Sequence, residues 1–317
     1  MYKLIDGDYI TVDELKKIHE WHDSIARYVY FKEKIIGKRG RNEKKNNFYW
    51  LETNDLYFEK VKNAIDADKD YWISAAEVSK RITDDDDKPV LREKWISYMP
   101  CHFLILDLNE AVEAENLNLD FNLSGGQMAE LVLEHCRQRG LPEPLIWGDH
   151  EELAVVWPLK VPYKKGRNSY ENNRGRIVFN EFAFNLDWND IQDLLYKDFE
   201  YLGANPQKKH ALTLLRVPGT FNTHANAPVR VFHDAEKTTV EEIKSGLEYV
   251  NDRLKRYKVI KRPDLQTKLK EFQKDNEEFL NFWNRVEEKF SLTSLVNENT
   301  FLNKKNFPVI YDKITDI

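Results

Sequence analysis

Apolar residues at helical spacing alternate along the chain with short runs that are continuously apolar or of period two. The segment TVDELKKIHEWHDSIARYVYFKEK has helical spacing behind Thr11 as a cap, which predicts an N-terminal helical extension within residues 1–45. A basic loop follows, then FYWLE, then a helix near Asp55 to Ile65. KWISYMPCHFLILDLN is mostly apolar and β-prone, predicting a buried strand over Phe103 to Asp107. Ser124 caps the next helix, whose apolar face is Met128, Leu131, Val132, Leu133 and Cys136, with Gly140 and Pro142 as its stop. PLIWGDHEELAVVWPL reads as a β-hairpin with strands at Leu145 to Trp147 and Leu153 to Trp157. Asp187 caps a helix through Ile191, Leu194, Leu195, Phe199 and Leu202, closed by Gly203. ALTLLRVPGTFN gives a short strand and a Pro-Gly turn, and VRVFH another strand. From Thr239 the spacing is helical again, at Val240, Ile243, Leu247, Val250 and Leu254. Interleaved strands and helices followed by helices alone predict an α+β body over residues 1–237 and a small helical C-terminal domain over residues 238–317.

Composition narrows the class. At 317 residues, 41% hydrophobic and 32% charged, the chain describes a globular protein rather than a disordered one. Two cysteines, Cys101 and Cys136, argue against a disulfide framework and for a reducing compartment. The start MYKLIDGDYI has no signal-peptide character, and no apolar run reaches membrane-spanning length. These features predict a cytoplasmic protein with no membrane partner. The net charge of −6 does not advertise nucleic-acid binding, but three basic stripes do so locally. KEKIIGKRGRNEKK (Lys32 to Lys45) carries seven cationic residues against two Glu; the others are KKGRNSYENNRGR (Lys164 to Arg176) and RLKRYKVIKR (Arg253 to Arg262). A stripe of this kind binds phosphate backbones or simply forms a solvated face. Lys38, Arg39 and Arg41 are the candidate DNA contacts.

Two motifs match known ligand loops and fail on inspection. LSGGQ (Leu123 to Gln127) is the signature of ATP-binding cassette ATPases, but no G-x-x-x-x-G-K-[ST] loop accompanies it. Ser124 and Gln127 form a capping box instead. DADKDYWISAAEV sets Asp66, Asp68, Asp70, Ser74 and Glu77 at ligand positions 1, 3, 5, 9 and 12 of a calcium loop. Tyr71 occupies the sixth position, where a sharp turn needs glycine. The competing expectation is an ordinary strand at YWIS after an acidic turn.

GANPQKKHALTLLRVPGTFN (Gly203 to Asn222) is the most informative stretch. An Arg at a strand end beside a glycine turn suits an anion, so Arg216 is a candidate phosphate contact. Asn222 either fixes a sugar or base edge or caps the turn. This stretch resembles the primase domains of plasmid and phage replication proteins, in the archaeo-eukaryotic primase (primase-polymerase) superfamily. Those domains share a GAD-like turn followed by LRxPGTxN. The upstream order agrees over roughly residues 45 to 235: an apolar strand ending in acid, a helix, LPxP, a Trp-rich hairpin, a helix, then the Arg element.

The resemblance implies a primase-like α+β fold of mixed sheets with packed helices, and two-metal nucleotidyl transfer with Mg²⁺ or Mn²⁺. By it, Asp107 is the first metal-binding acid, and Asn109 stands where a second acid belongs, with Glu110 adjacent. Gly148-Asp149-His150 resembles the small-x-His motif, with His150 toward nucleotide phosphates; a register aligned on Trp157 puts Leu153 there instead. His210 occupies the place of the third acid, and Asn205 that of the acid of the turn. Two versions follow. Either Asp107, Asn109, His150 and His210 form an unusual working site that makes primers, or the domain recognises DNA without polymerising. In both, the partners implied are DNA and a separate helicase, since the chain has no P-loop of its own. A non-enzymatic protein that keeps the fold to bind a partner is the alternative from another class.

Overall fold

The computed structural model describes residues 2–3, 9–10, 28–35, 45–52, 70–108, 123–165, 169–171, 177–179, 185–222, 224–225, 227–247 and 263–290. The strands are β1 (Tyr2–Lys3), β2 (Tyr9–Ile10), β3 (Tyr28–Ile35), β4 (Lys45–Glu52), β5 (Asp70–Val78), β6 (Tyr98–Asp107) and β7 (Leu145–Gly148). After them come β8 (Glu152–Lys164), β9 (Ser169–Glu171), β10 (Ile177–Phe179), β11 (Leu214–Arg216), β12 (Phe221–Asn222), β13 (Ala227–Pro228) and β14 (Arg230–His233). The helices are α1 (Gly125–Arg139), α2 (Leu186–Asp198), α3 (Val240–Gly246) and α4 (Gln266–Phe290). The principal sheet has the order β14-β7-β8-β6-β5-β3-β4, with β11 also paired to β5. This is an α+β architecture.

Each described strand pairing is antiparallel, where mixed sheets are expected from the resemblance. The reason lies in one connection. β6 and β7 both run antiparallel to β8 and are therefore parallel to each other, but β8 is inserted between them. The crossover through α1 thus joins parallel strands that never bond.

The period-two alternation of β6 sorts its side chains onto two cores. Cys101, Phe103 and Ile105 join a cluster with Tyr71, Ile73, Trp147 and Leu215. Leu104, Leu106 and Leu108 join a second cluster beneath α1 and α2, with Met128, Val132, Ile191 and Phe199. Ile243 and Leu247 around α3, and Leu265, Leu269 and Phe272 at the start of α4, pack into this second cluster. Residues on both sides of position 237 therefore share one core. Among the described residues no helix is long and apolar enough to cross a membrane.

The sheet splits between β5 and β6, which pair only at Glu77 and Tyr98. Strand β11 fills the gap on the β5 side, setting Leu214, Leu215 and Arg216 opposite Ser74, Ile73 and Trp72. On the β6 side a helix satisfies the edge. The Trp188 indole N–H donates to the Cys101 carbonyl, the Gln192 amide bonds both backbone groups of Phe103, and the Tyr196 hydroxyl accepts from the Ile105 N–H. Residues 188, 192 and 196 climb α2 by about 6 Å a step, close to the roughly 6.6 Å between alternate residues of a strand. The helix thus presents donors and acceptors in strand register, which closes an edge that would otherwise be open to pairing.

Local chemistry accounts for the helix ends. Ser124 accepts from the Gln127 N–H at 3.2 Å while Gln127 accepts from the Ser124 N–H at 3.1 Å, and Gly140 ends α1 at φ 71. LSGGQ is a capped helix start. Its two glycines differ. A Cβ on Gly125 would lie 2.8 Å from the Asp149 carbonyl and 2.9 Å from the Phe232 ring, whereas one on Gly126 makes only ordinary contacts. Gly125→Ala is therefore expected to destabilise by about 1–3 kcal/mol, and Gly126→Ala to be neutral or stabilising by up to about 1 kcal/mol. Urea unfolding of both variants checks this; equal losses would remove the packing explanation.

Three expectations are corrected. The N-terminal helix was expected to run through Lys34, but Tyr28–Ile35 is strand β3, paired on both sides. YVYFKEKI is rich in aromatic and β-branched residues, and pairing to two neighbours overrides its local helical spacing. The cap of α2 is Asn185, accepting from the Trp188 N–H, while Asp187 sits in the first turn. Gly203 closes a 3₁₀ turn over Glu200–Leu202 rather than α2 itself. The strand at Phe103 to Asp107, the hairpin and the strand VRVFH are present, as β6, β7–β8 and β14. FYWLE lies within β4. Residues 11–27 and 53–69 lie outside the described residues.

Candidate functional site

Gly148 begins the turn between β7 and β8, where a Cβ would fall 2.1 Å from the Glu152 carbonyl oxygen. Only glycine fits there, which is a steric reason for the small residue of Gly148-Asp149-His150. Asp149 then folds the turn: its Oδ1 accepts from the N–H groups of Glu151 at 2.8 Å and Glu152 at 3.2 Å. Its Oδ2 accepts from the Asn222 amide at 2.8 Å and lies 3.9 Å from Arg216 Nε. Gly148 and Asp149 are buried, whereas His150 is exposed at the bend.

Arg216 ends β11 as expected, but its guanidinium already holds anions of the protein. Nη1 is 2.5 Å from Asp70 Oδ1, and both the Asp70 and Asp149 side chains are fully buried. The Arg216 side chain is 15% exposed, and its Nε has no hydrogen-bond partner among the described residues. The Trp147 indole donates to the Arg216 carbonyl, fixing β11 over the hairpin. Asn222 is equally committed: its amide donates to Asp149 and its oxygen accepts from the N–H groups of His224 and Ala225. That makes it a buried turn cap.

Asp107, at the end of β6, stands directly opposite Glu152 in the β6–β8 register. Residues so paired share a sheet face, with Cβ atoms about 4.5–5.5 Å apart. Lys208 forms an ion pair with Glu152. The Tyr196 hydroxyl donates to the Lys208 carbonyl, and burial pushes its pKa up, so it stays a donor. Asn205, expected in place of an acid, caps the 3₁₀ turn Pro206–Lys208 by accepting from the Gln207 N–H. His210 is exposed in the turn that follows. Asn109, Glu110, Lys38, Arg39 and Arg41 lie outside the described residues.

The calcium-loop pattern does not form a calcium loop. Asp66 and Asp68 lie outside the described residues, but Asp70 to Glu77 belong to the extended strand β5. Seven residues of strand span about 23 Å, so Asp70 and Glu77 cannot converge on one ion. Asp70 serves Arg216 instead.

For a divalent metal, the described donors at the strand end are Asp107 and Glu152, and Glu152 already spends an oxygen on Lys208. Among the described residues there is no group of three His, Cys, Asp or Glu side chains that could hold an ion. A two-metal clamp needs more anionic charge than Asp107 and Glu152 bring by themselves.

The sequence reading missed Glu152, Asp149 and Lys208. Glu152 becomes a partner of Asp107 only through register, and the signal available was the spacing of the hairpin: with the turn at Gly148, the residue before Leu153 falls opposite a neighbouring strand's end.

No family model matches the chain, and no curated protein matches it. Among solved structures it is similar to the primase-polymerase domain of cyanophage S-2L, with TM-score 0.42 and 12% identity, over 73% of this chain and 94% of that one. It is also similar to the catalytic domain of the primase RepB′ in complex with initiator DNA, with TM-score 0.41 and 10% identity over 74% and 91%. A further RepB′ structure has TM-score 0.38 and 11% identity over 89% of this chain and 74% of that one.

Proposed function

We propose that the chain is a DNA-binding replication protein of a plasmid or other mobile element, built on a primase-like fold and acting by recognition rather than polymerisation. The observation that carries this is the meeting, at one hairpin turn, of the three elements in which the sequence resembles primase domains. Asp149 of the turn accepts from Asn222 and lies within ion-pair distance of Arg216, and Glu152 at the end of the same turn stands opposite Asp107. The version without catalysis is favoured because the ionic groups of that end neutralise one another: Arg216 is spent on Asp70, and Glu152 on Lys208. The candidate DNA contacts are then in the basic stripe, with Lys38, Arg39 and Arg41 among them.

Primer synthesis on a single-stranded template with Mg²⁺ or Mn²⁺, run beside salt-dependent DNA binding, tests the reading. The expected result is no product, with binding that weakens steeply with salt. Replacing Lys38, Arg39 and Arg41 by Ala together should lower the log–log salt slope by about 2. A product that disappears in Asp107→Ala would make the protein an active primase instead. No binding at low salt would remove DNA as its partner.

A further inference from the structure

Four adjacent strands set one residue each into a single row across the principal sheet. Phe48 of β4 pairs with Lys32 of β3, Lys32 with Trp72 of β5, and Trp72 with Arg216 of β11. Aromatic and cationic side chains therefore alternate along the row. The face is the one opposite the first core, because Tyr71, Ile73, Leu215 and Val217, one residue to either side, point into that core. The Lys32 ammonium lies 4.4 Å from the Trp72 ring centroid and the Arg216 guanidinium 4.8 Å from it, so the indole orders a cation from each flanking strand. Phe48 is 36% exposed and is backed by Tyr30, stacked at 5.5 Å between centroids.

The neighbouring row is closed off. Tyr30 donates its hydroxyl to the Pro89 carbonyl and Trp50 donates its indole N–H to the Ile82 carbonyl, so the segment after β5 lies over that end of the face. The row from Phe48 to Arg216 lies two residues along the strands from these contacts. It spans about 14 Å at the interstrand spacing, and it starts at Arg216, where the candidate site ends.

From this juxtaposition we infer that the row is a platform for a short stretch of single-stranded nucleic acid, entered from the Arg216 end. This rests on the reading of the chain as a DNA-binding protein. A base stacks on the exposed face of Phe48, and Lys32 meets the adjoining phosphate. Trp72 holds Lys32 in position, and Arg216, neutralised by Asp70, serves as the fixed end of the row rather than as an anion receptor. An exposed ring beside an ordered cation suits a strand whose bases are unstacked. A duplex hides those base faces, so it is disfavoured here.

Anisotropy of a labelled oligo(dT) with the full chain, at two salt concentrations, tests the inference. Phe48→Ala is expected to weaken binding about tenfold with the salt slope unchanged, while Phe48→Tyr keeps the affinity. Lys32→Ala should lower the slope by about 0.7. Phe48 is half exposed at most, and circular dichroism of each variant establishes that it is folded. Native affinity in folded Phe48→Ala, with the parent still binding salt-sensitively, overturns the platform and leaves the DNA-binding reading intact. A parent chain that binds no oligonucleotide at all overturns both. Loss of self-association in Phe48→Ala with unchanged DNA affinity would make the row a protein contact and likewise overturn the platform.

Discussion

Arg216→Ala is expected to destabilise the fold by about 3–5 kcal/mol, one of the largest effects of any single substitution in the chain. The cause is what the guanidinium leaves behind. Asp70 and Asp149 are both fully buried, and Arg216 is the cation between them, 2.5 Å from one and 3.9 Å from the other. Burying a carboxylate without a compensating cation is costly, whereas replacing a whole buried ion pair by apolar groups of similar volume is often near neutral. The asymmetry gives the control. Arg216→Met combined with Asp70→Asn should recover a large part of the loss, and the two changes should be strongly non-additive. Urea unfolding of the parent, both single variants and the double variant reads this directly. A cost below about 1 kcal/mol for Arg216→Ala would mean that water, not the arginine, compensates the acids.

That ion group also shows where sequence reading stops. Ser124 and Gln127 could be read as a capping box because the four positions involved are contiguous, and the turn at Gly140 follows from one residue's backbone freedom. The hairpin was legible for the same reason. The acids around Arg216 were not, because one of them comes from a strand 146 residues away in sequence. In the sequence Asp70 stands out only as position 5 of a calcium-loop pattern, whose competing reading is a strand after an acidic turn. The confusion has a physical basis: ligand positions 1, 3 and 5 of a calcium loop recur with period two, which is also the period of a strand. Only the pairing partners of β5 decide between them.

A second limit is the irregular pairing on either side of the sheet's centre. Ser74 accepts the Tyr30 N–H at 3.0 Å and donates to the Ala76 carbonyl at 2.6 Å, mending a register shift between β3 and β5 with a side chain. Nothing in the local pattern of YVYFKEKI announces that neighbour, so the segment read as a continuing helix. The edge-closing stripe Trp188, Gln192 and Tyr196 was invisible for the converse reason. Its spacing is helical and was rightly placed on a helix, but a helix facing a strand edge with polar groups has the same period as one facing a core with apolar groups. Trp188 and Tyr196 do both.

The same stripe carries the second large prediction, a loss of stability on acidification. His102 of β6 is fully buried, its ring stacked on Trp188 at 5.7 Å, with Nδ1 3.0 Å from Gln192 Oε1 and Nε2 3.3 Å from the Tyr163 hydroxyl. Gln192 donates its amide nitrogen to the Phe103 carbonyl, so its oxygen faces the ring and Nδ1 carries the proton. Burial lowers the His102 pKa to about 4, against the favourable effects of Gln192 and Asp187, with Lys244 lowering it further. His135, on α1 and held between Tyr201 and Asp198, is lowered by burial as well.

The sign follows from proton counting. Between about pH 6.5 and pH 4 the unfolded chain binds a proton at position 102 that the folded chain refuses, so stability rises with pH across that window. The contribution is fully present above pH 6.5 and is lost as the pH falls toward 4, amounting to about 3 kcal/mol for His102 alone. Unfolding free energies at pH 7, 5.5 and 4 should therefore fall more steeply for the parent than for His102→Asn, which has no ionisable group there. Parallel curves would mean that the ring is protonated in the folded state and that the Tyr163 hydroxyl turns to receive the Nε2–H. The two outcomes differ at Nε2. The Nδ1–H bond to Gln192, and with it the Gln192 bond to Phe103 in strand register, is the same for either ring, whereas the Tyr163 hydroxyl donates to a neutral Nε2 and must accept from a charged one.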